Sequence, residues 1–572
     1  MSSDKYGRLY NFFRRNFSWE LWVILLLIGV TILLNSRMIF DGLNGKNDVV
    51  IHTIWLQHFS HQLAEGIWYP RWLDGTNYGY GSPTFVFYPP LVYYIGSVFK
   101  LSGLNIEQTM GILYSLGIFL SGVSFYLYAR FHWGKIAALS GALIYMSVPH
   151  ITFMIYWVGS ISSLFGIALL PLGWLITERS LSQKRWLILL SLFWMLLALI
   201  HVPSFFLFFL VWLMCTSCFL LKQPWKNVLS VFFFAGIGIG ISSFFLLPAF
   251  LEKRFVDINA MKELAGDFQG NMLGGATLPF LPLNFNGEYM HVFLHQSLIA
   301  IIAFGLAFFI FKDHKEIIKQ ISIWGVFLIA IAYLMSYWSW PIWRLSQTLQ
   351  RVQTPMRLLP LFSFGVASLS CFLIYKILQL RHKVFKIVAL SLLTAVLLAN
   401  FSFNYKTSRM SPAIHNPGKA NLDYLQEFKT ALYEPFTGKL KDVREYRPLL
   451  EGDRSPPDPK IGEAPLSVIE GDAKIRLLDW ESYKRIFSVD TNENSVVRIR
   501  TYIYPAWNLY VNQENYPIEV LSDGTIGISL EPGSYMVELK YERTWAFTLG
   551  LILSTFSVLT LLVLYYLIQR FV

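Results

Sequence analysis

The sequence predicts an α-helical, multi-pass membrane protein with one β-rich domain outside the membrane. Of its 572 residues, 54% are hydrophobic and only 15% are charged, with a mean hydropathy of +0.46, whereas soluble domains carry roughly 25% charged residues. Apolar runs of about 17 to 25 residues recur along the chain, and each is long enough to cross about 30 Å of hydrocarbon. One long polar stretch near the carboxyl end alternates like β-strands.

The first apolar run, Trp19 to Ile39, follows the basic pair Arg14-Arg15. It is too long for a secretory signal and has no small-residue cleavage site, so it is predicted to be a retained anchor. Loops between later runs are basic, as expected of cytoplasmic loops, and this explains the net charge of +11 without nucleic acid. The basic loops are RFHWGK, TERSLSQKR, KQPWK, KDHKEIIK and LQLRHKVFK.

Alternation of these loops predicts about twelve crossings, with both termini in the cytoplasm. It requires residues 89–101 to lie on the outer surface, and about 13 apolar residues are indeed short for a span. The predicted transmembrane domain covers residues 1–403 and includes an extracytoplasmic loop at 40–106. Residues 404–542 are expected to form an outer linker and β domain, and residues 543–572 a final helix.

Two turn signals support the β prediction. Asp523-Gly524 and Pro532-Gly533 separate stretches that alternate between apolar and polar residues. We therefore expect a small antiparallel β-sandwich that is tethered to the membrane on both sides.

Common signatures of soluble enzymes are absent. No Walker, GxSxG, HExxH or Rossmann motif occurs in a suitable context. Cys215, Cys218 and Cys371 lie in apolar runs, which indicates neither a disulfide framework nor an exposed thiol nucleophile. The candidate functional residues come instead from the outer loops.

Asp48 and His52 are four residues apart and would share one face of a helix. A carboxylate oriented by an imidazole can act as a general base or hold a cation. The alternative is that Asp48 caps the helix. His52, His58 and His61 lack a cysteine or second carboxylate at ligand spacing, so no metal site is predicted.

The next segment, GIWYPRWLDGTNYGYGSPTFVFYPP, is dense in aromatic residues, glycine and proline. Its aromatic residues are consistent with an interfacial belt. So many in one ordered loop also fit a shaped substrate surface. The candidates here are Arg71, Trp72, Tyr80 and Tyr88.

Further candidates lie at other outer helix ends. Arg357, with Gln353 just before it, begins a predicted membrane helix, where it either snorkels outward or binds a phosphate. His201 lies in a proline-containing turn that splits a long apolar run. Glu252 either faces a substrate or begins a solvated loop.

These elements together resemble a GT-C glycosyltransferase, the membrane class that takes sugars from polyprenyl-phosphate carriers. The chain is most similar to the bacterial family labelled 6-pyruvoyl-tetrahydropterin-synthase-related membrane proteins, and the resemblance spans nearly the whole sequence. The motifs that carry it are Asp48-x-x-x-His52, GIWYPRW, GYG, FYPPL, LIHVPS, LLPAFLE, VQTPMRLL, YIYPAWNLYVN and ISLEPGSYMVELKYE.

The resemblance implies a catalytic carboxylate in the first outer loop, and Asp48 matches that place better than Asp41. It also implies a juxtamembrane helix at the PPL segment. Where relatives often carry Arg and Glu after the third crossing, this chain has Ser160, Ser162 and Ser163. A second charged catalytic position is therefore not visible there, and the need for a divalent cation stays open.

The expected function is transfer of a sugar, with inversion, from a polyprenyl-phosphate donor to an envelope glycan, lipid or protein outside the plasma membrane. The expected partners are that donor and membrane lipids, and no nucleic acid. The alternatives are a transporter or flippase for a lipid-linked saccharide and a noncatalytic envelope-assembly protein. Transporters usually show midplane polar sites and internal repeats, neither of which is clear in this sequence.

Overall fold

The computed structural model describes residues 3–44, 47–220, 223–260, 272–273, 288–350, 352, 354–381, 383–410, 443–452 and 454–571. Predicted site residue Gln353 lies outside this set. Within it, the regular elements up to Met410 are helices, the β-strands lie between Leu466 and Tyr541, and one further helix begins at Trp545.

The first helices build the amino-terminal part of the membrane domain and its outer loop. They are α1 (Ser3–Leu34), α2 (Ser36–Phe40), α3 (Asp48–Ala64), α4 (Thr76–Gly79), α5 (Thr84–Phe87), α6 (Leu91–Leu101), α7 (Ile106–Met146), α8 (Pro149–Phe153), α9 (Ile161–Ser182), α10 (Trp186–Ile200), α11 (Val202–Leu220), α12 (Trp225–Ile241) and α13 (Ser243–Leu251).

The remaining helices complete the membrane domain. They are α14 (Glu288–Phe311), α15 (Lys315–Met335), α16 (Trp340–Trp343), α17 (Gln347–Gln350), α18 (Leu359–Leu378), α19 (Lys383–Met410) and α20 (Trp545–Phe571). A π-helical turn occupies Met154–Val158, and 3-10 turns occupy Glu252–Phe255, Tyr337–Ser339, Pro355–Leu358 and Arg444–Tyr446.

Seven described helical segments are long and apolar enough to cross a membrane, or eight if α12 and the bent segment after it form one span. One of the seven, Ile106–Val158, contains Gly134 at φ 76°, a left-handed value that breaks α7 within the predicted RFHWGK loop. Four shorter apolar helices also occur, among them Leu91–Leu101. The multi-pass architecture is thus confirmed, whereas the count of about twelve stays a prediction.

The helices pack closely around α7 and α18. Helix α18 is buried along most of its length, and α7 lies against both α9 and α18. At the crossing of α10 and α12, a Cβ on Gly238 would overlap the Ser191 carbonyl, so only glycine lets the two backbones approach this closely. Helix α20 exposes most of its apolar surface, as a lipid-facing helix does.

The carboxyl-terminal domain is the predicted antiparallel sandwich. Its strands are β1 (Leu466–Glu470), β2 (Ala473–Glu481), β3 (Lys484–Thr491), β4 (Ser495–Tyr502), β5 (Trp507–Val511), β6 (Glu514–Tyr516), β7 (Glu519–Val520), β8 (Thr525–Leu530) and β9 (Gly533–Tyr541). They form one sheet of order β1-β4-β8-β7 and another of order β2-β3-β9-β5-β6. Gly524 adopts φ +79° before β8, which confirms the predicted turn.

The outer loop shares a hydrophobic core with this β domain. Trp72, Tyr80, Val86 and Val256 belong to the same buried cluster as the inward-facing residues of the strands. The β domain therefore holds the loop that follows α3, and α20 begins only a few residues after β9.

Candidate active site

Asp48 is the first residue of α3, where the chain enters the helix from a left-handed residue. The helix N-cap is Asn47, at φ 52°, and its side chain makes no capping bond. Instead, the Asn47 amide donates to the Trp157 carbonyl at 2.7 Å. Asp48 is therefore not the cap, and the capping interpretation of Asp48 is wrong.

The π-helical turn at Met154–Val158 connects the start of α3 to α7. It presents the Trp157 carbonyl to Asn47, and the Gly159 carbonyl behind it accepts from the Tyr114 hydroxyl at 2.6 Å. An inserted residue of this kind redirects a helix, and such turns recur at functional sites. It fixes the position at which Asp48 projects from α3.

Asp48 is partly buried, and that burial dominates its electrostatics. Desolvation raises the pKa of the Asp48 carboxyl from 3.8 to about 6, and the positive charge of Arg357 offsets part of the rise. A carboxyl of this kind is mostly ionised at neutral pH yet binds a proton more strongly than a solvated one. Both properties suit a general base.

Arg357, about 300 residues after Asp48 in the chain, acts on the same carboxyl. It lies in the 3-10 turn Pro355–Leu358, which leads directly into α18. The Thr354 side chain caps this turn by accepting from the Met356 amide at 3.2 Å. The guanidinium acts electrostatically on Asp48 and on the Tyr88 hydroxyl. Arg357 is partly buried.

Two tyrosines lie within reach of both charges. Tyr88 and Tyr289 are each acted on by Asp48 and by Arg357. The Tyr88 hydroxyl also lies beside Ser160 and Ser162, and burial raises its pKa above the usual value. Ser160 and Ser162 thus supply uncharged hydroxyl partners to this phenol.

His52 lies one helical turn after Asp48 and is neutral. Its Nδ1 is 2.6 Å from the Tyr93 hydroxyl, and its Nε2, although buried, has no hydrogen-bond partner among the described residues. Burial lowers the pKa of His52 to about 3. The hydrogen bond expected between His52 and Asp48 is replaced by the bond to Tyr93, while Nε2 remains able to bind a ligand.

His201 joins this group at the turn between α10 and α11. Its Nδ1 lies 2.7 Å from the Ser204 hydroxyl, so the HVPS motif forms a local hydrogen-bonded turn. Both Arg357 and His52 act on it electrostatically. The structure thus brings together Asp48, His52, Tyr88, His201 and Arg357 of the predicted residues.

Aromatic side chains line the side of the site formed by α3, α5 and α6. Trp55 contacts Tyr88 with ring centroids 4.9 Å apart, and Phe85 contacts Tyr93 at 4.6 Å. Tyr446, from the linker before the β domain, lies 6.2 Å from Trp55. Such packing rigidifies the wall, and Trp55, Phe85, Tyr93 and Tyr446 are buried within it.

Arg71 and Trp72 lie elsewhere, at the β domain. The backbone amides of both donate to the Tyr483 hydroxyl, at 2.5 and 3.0 Å. The Arg71 guanidinium stacks on Phe547 at 4.0 Å, and Trp72 is fully buried. Their contacts are structural, and the substrate-binding role predicted for them stays a prediction without support from this geometry.

Tyr80 also faces the β domain. Its hydroxyl donates to Glu463 at 2.6 Å and accepts from Arg498 at 2.9 Å, and its carbonyl accepts from the Tyr502 amide at 2.8 Å. Residues of the GYG motif therefore anchor the loop. Their predicted contact with substrate is likewise untested.

Glu252 is only 4% exposed, so the solvated-loop alternative for it is wrong. Its carboxylate accepts hydrogen bonds from the hydroxyls of Tyr504 and Thr544. It therefore joins α13 to the β domain and to the start of α20.

The described residues contain no group of three or more His, Cys, Asp and Glu side chains placed to hold a metal ion. His58 is buried near Asp74, and His61 pairs with Glu65 at 3.2 Å. The Nε2 atom of His58 is buried and has no hydrogen-bond partner among the described residues.

Sequence reasoning missed two residues of the site, Tyr93 and Tyr289. Tyr93 lies in the FYPPLVYY stretch, whose burial against α3 could have been inferred from the Pro89-Pro90 turn. Tyr289 is the second residue of α14 and belongs to no motif. Its position near the site follows only from tertiary packing, in which the rings of Tyr289 and Phe153 have centroids 4.7 Å apart.

No protein-family model matches the chain, and none of the curated proteins matches it. Among solved structures, ArnT from Cupriavidus metallidurans, crystallised with undecaprenyl phosphate, is similar at 12% identity and a TM-score of 0.39. The match covers 68% of this chain and 75% of that one.

Two crystal structures of the Archaeoglobus fulgidus oligosaccharyltransferase are also similar. The complex with zinc and sulfate is 14% identical, with 73% of this chain and 58% of that one covered and a TM-score of 0.37. The form tethered to an acceptor peptide is 13% identical, with 76% and 61% covered and a TM-score of 0.40. This chain therefore spans about three fifths of that oligosaccharyltransferase, and these similarities assign no role to any of its residues.

Proposed function

We propose that this protein is a GT-C-type glycosyltransferase that moves a sugar from a polyprenyl-phosphate carrier to a hydroxyl acceptor outside the plasma membrane. The observation that carries the proposal is that the positive charge of Arg357 acts on the carboxyl of Asp48 next to an aromatic wall. One group can take a proton and the other can hold a phosphate.

Asp48 acts as the general base. It takes the proton from the acceptor hydroxyl while the oxygen forms a bond to the anomeric carbon. The bond from that carbon to the phosphate oxygen breaks, and polyprenyl phosphate leaves with the electron pair. Attack opposite to the leaving group inverts the anomeric centre.

Arg357 stabilises the leaving phosphate. A guanidinium offers paired N–H donors that match phosphate oxygens, and its bond to an anion is roughly twice as strong as a neutral one. Because the charge on the phosphate grows during the reaction, a fixed cation in a partly desolvated place lowers the barrier. The need for a divalent cation is a separate question, which activity with and without a chelator answers.

Neutral groups around the charges are suited to the sugar. The Nε2 atom of His52 is buried and has no hydrogen-bond partner among the described residues, and the half-buried ring of Tyr88, packed on Trp55, lies beside His52. Sugar hydroxyls would hydrogen-bond to the imidazole, and the apolar face of the ring would lie on the aromatic side chains.

The test uses purified protein in nanodiscs, supplied with a panel of radiolabelled polyprenyl-phosphate sugars and a lipid extract as acceptor. We expect Asp48→Asn to abolish transfer while the protein stays folded. Asp41→Asn is the matched control, since Asp41 is an exposed carboxylate that pairs with Arg37 at 3.8 Å. Full transfer by Asp48→Asn would remove Asp48 from the base role.

A transporter of lipid-linked saccharides is the second candidate, favoured by a polar cluster inside the membrane domain. Asn400 donates to the Ser147 hydroxyl at 3.1 Å and lies 3.0 Å from His295 Nε2. His150, 2% exposed, has no partner for either ring nitrogen among the described residues. Movement of a fluorescent lipid-linked sugar across proteoliposomes, without sugar transfer, would favour this candidate.

A further inference from the structure

Arg485 is a buried cation of the β domain, close to the contact of that domain with the outer loop. It is the second residue of β3 and is only 1% exposed. Its partner across the β2–β3 hairpin is Trp480. Tyr483, in the turn of the same hairpin, holds the backbone of the outer loop. A charge buried to this depth is stable only if it is paired and hydrogen-bonded.

Two indole rings contact the guanidinium of Arg485. Its Cζ lies over the rings of Trp480 and Trp507, at 4.7 and 4.4 Å from their centroids. The face of an aromatic ring attracts a cation. An indole has one hydrogen-bonding group, however, and that group is a donor. The two rings therefore supply attraction but neither a hydrogen-bond acceptor nor a negative charge.

The hydrogen bonds of Arg485 within the described part of the chain are incomplete. Its Nη1 donates to the Ser482 carbonyl at 3.4 Å, which is longer than the usual range of about 2.7–3.2 Å. Its Nε is buried and has no partner among the described residues. A guanidinium carries several N–H donors and no acceptor, so a missing partner of Arg485 must be an acceptor.

The groups that adjoin Arg485 are also short of acceptors. The indole N–H groups of Trp480 and Trp507 are buried, and neither has a partner among the described residues. The Ser482 hydroxyl is buried and unpartnered within the same set, and it can donate to an anion. A water molecule would need acceptors for its own hydrogens, and Arg485 and the two indoles offer none.

The charge of Arg485 also lacks a counter-charge. Arg485 forms no ion pair with another described residue. Asp74 acts on it electrostatically, but this carboxylate accepts a hydrogen bond from the Gln62 amide at 2.9 Å. Arg500 acts on Arg485 with a like charge and offsets the effect of Asp74. Burial lowers the pKa of Arg485 to about 10, so the side chain is still a cation at neutral pH.

We propose that the β domain binds a small inorganic anion, of the size of chloride, at Arg485 between Trp480 and Trp507. The anion accepts hydrogen bonds from Arg485 Nε and from the indole N–H groups, and it neutralises the guanidinium. A larger anion does not fit, because Arg485 is enclosed by the two rings and is 1% exposed. The site does not depend on sugar transfer by the protein.

A bound anion would strengthen the contact between the β domain and the outer loop. The ring of Trp507 packs edge-on against Trp72 of that loop, with centroids 5.4 Å apart. An anion that holds the Trp507 indole in place therefore also holds the surface on which Trp72 packs. Its binding should be measurable as stability of the folded protein.

The first experiment measures the Tm of the full-length protein in nanodiscs, in sodium chloride and in sodium gluconate at equal ionic strength. Gluconate is a much larger anion and provides the baseline. A ligand that binds only the folded state stabilises it in proportion to the filling of its site. We expect the Tm to be higher in chloride and to rise with chloride concentration. An equal Tm in the two salts at every concentration would overturn the proposal.

Arg485→Met removes the charge and keeps an unbranched apolar chain between the two rings. We expect the difference in Tm between chloride and gluconate to disappear in this variant. Packing of Arg485 on the indoles without an anion predicts that the substitution changes the Tm equally in both salts. Arg476→Met is the matched control, because Arg476 is exposed on the neighbouring strand β2, and it should keep the chloride dependence. Persistence of that dependence in Arg485→Met would contradict the assignment.

The second experiment needs no variant and therefore applies even if Arg485→Met fails to fold. Crystals of the wild-type protein grown in sodium bromide would locate the anion by anomalous scattering. We expect a bromide peak at hydrogen-bond distance from Arg485 Nε. A water molecule at that place, with no anomalous signal, would overturn the proposal.

Discussion

The hydroxyl of Tyr483, in the turn between β2 and β3, accepts a hydrogen bond of 2.5 Å from the backbone amide of Arg71. The same hydroxyl accepts from the next amide, that of Trp72, and donates to the Tyr69 carbonyl at 3.2 Å. One side chain of the β domain thus satisfies three backbone groups of the outer loop. The β domain thereby holds the outer loop in place, and this loop also contains Tyr88, which lies near Asp48.

Tyr483→Phe should loosen this brace. Two backbone N–H groups lose their acceptor, and unsatisfied donors of this kind cost about 1–3 kcal/mol. We expect a lower Tm and faster proteolysis of the loop around Arg71. Tyr510→Phe is the control, because its hydroxyl makes one exposed bond to Glu542 at 3.1 Å. Equal effects of the two substitutions would contradict a bracing role for Tyr483.

The rate of sugar transfer should rise with pH around the pKa of Asp48. Its pKa of about 6 means that the base is protonated and inactive below that pH. We expect a single rising limb with its midpoint near pH 6, measured from initial rates. Arg357→Met removes the charge that lowers this pKa, so it should move the residual midpoint upward. A midpoint near pH 4, the ordinary value for a solvated aspartate, would contradict the raised pKa of Asp48.

Asp48→Asn should stabilise the folded protein at neutral pH. The folded pKa of about 6 exceeds the unfolded value of 3.8, so protonation favours the folded state. That contribution is fully present below pH 3.8 and is lost as pH rises through about 6. At one pKa unit per about 1.4 kcal/mol, the gain at neutral pH is at most about 3 kcal/mol.

The free energy of unfolding of the wild type and of Asp48→Asn should be compared at two pH values. Unfolding of wild type and Asp48→Asn should differ at pH about 7.5 and converge towards pH about 4. A difference that is the same at both pH values would contradict an ionisation effect. If Asp48→Asn is inactive but more stable than the wild type, Asp48 is a residue that serves function at the expense of stability.

Arg357→Ala should weaken the binding of polyprenyl phosphate about tenfold or more, since charge-assisted bonds contribute about 1.5–3 kcal/mol. Arg357→Lys keeps the charge but loses the paired donors, so it should recover only part of the affinity. Binding can be followed by native mass spectrometry in nanodiscs. Unchanged affinity in Arg357→Ala would favour the snorkelling alternative.

Glu252→Ala should separate the β domain from α13. Glu252 is buried and accepts hydrogen bonds from the hydroxyls of Tyr504 and Thr544. The substitution would leave both hydroxyls without this acceptor. We expect a lower Tm, with partial rescue by Glu252→Gln, which keeps one acceptor oxygen. The exposed Glu514 provides the control substitution, Glu514→Ala, for which no change in Tm is expected.

Several features follow from local chemistry and could be predicted. Apolar runs of about 20 residues identify membrane helices because a helix of that length crosses the hydrocarbon core of a bilayer. Alternation of apolar and polar residues, together with the Asp523-Gly524 turn, identifies the strands. The spacing of Asp48 and His52 predicts a shared helical face, and α3 does begin at Asp48.

The loop GIWYPRWLDGTNYGYG shows where local reasoning stops. Its aromatic residues and glycines suit a substrate surface and a domain interface equally well, because both need shaped apolar contact. Arg71, Trp72 and Tyr80 pack against the β domain, whereas Tyr88, a few residues later, lies beside Arg357. Composition cannot show which residues of this loop contact the β domain and which lie near Arg357.

The sequence by itself therefore determined the membrane architecture, the β domain and the position of Asp48 at a helix start, since each depends on periodicity and length within one segment. Only the tertiary structure decided that Arg357 and Tyr289 join Asp48, and that Glu252 holds the β domain instead of facing solvent. These contacts link residues far apart in the chain, and their formation depends on how α3, α14 and α18 pack together.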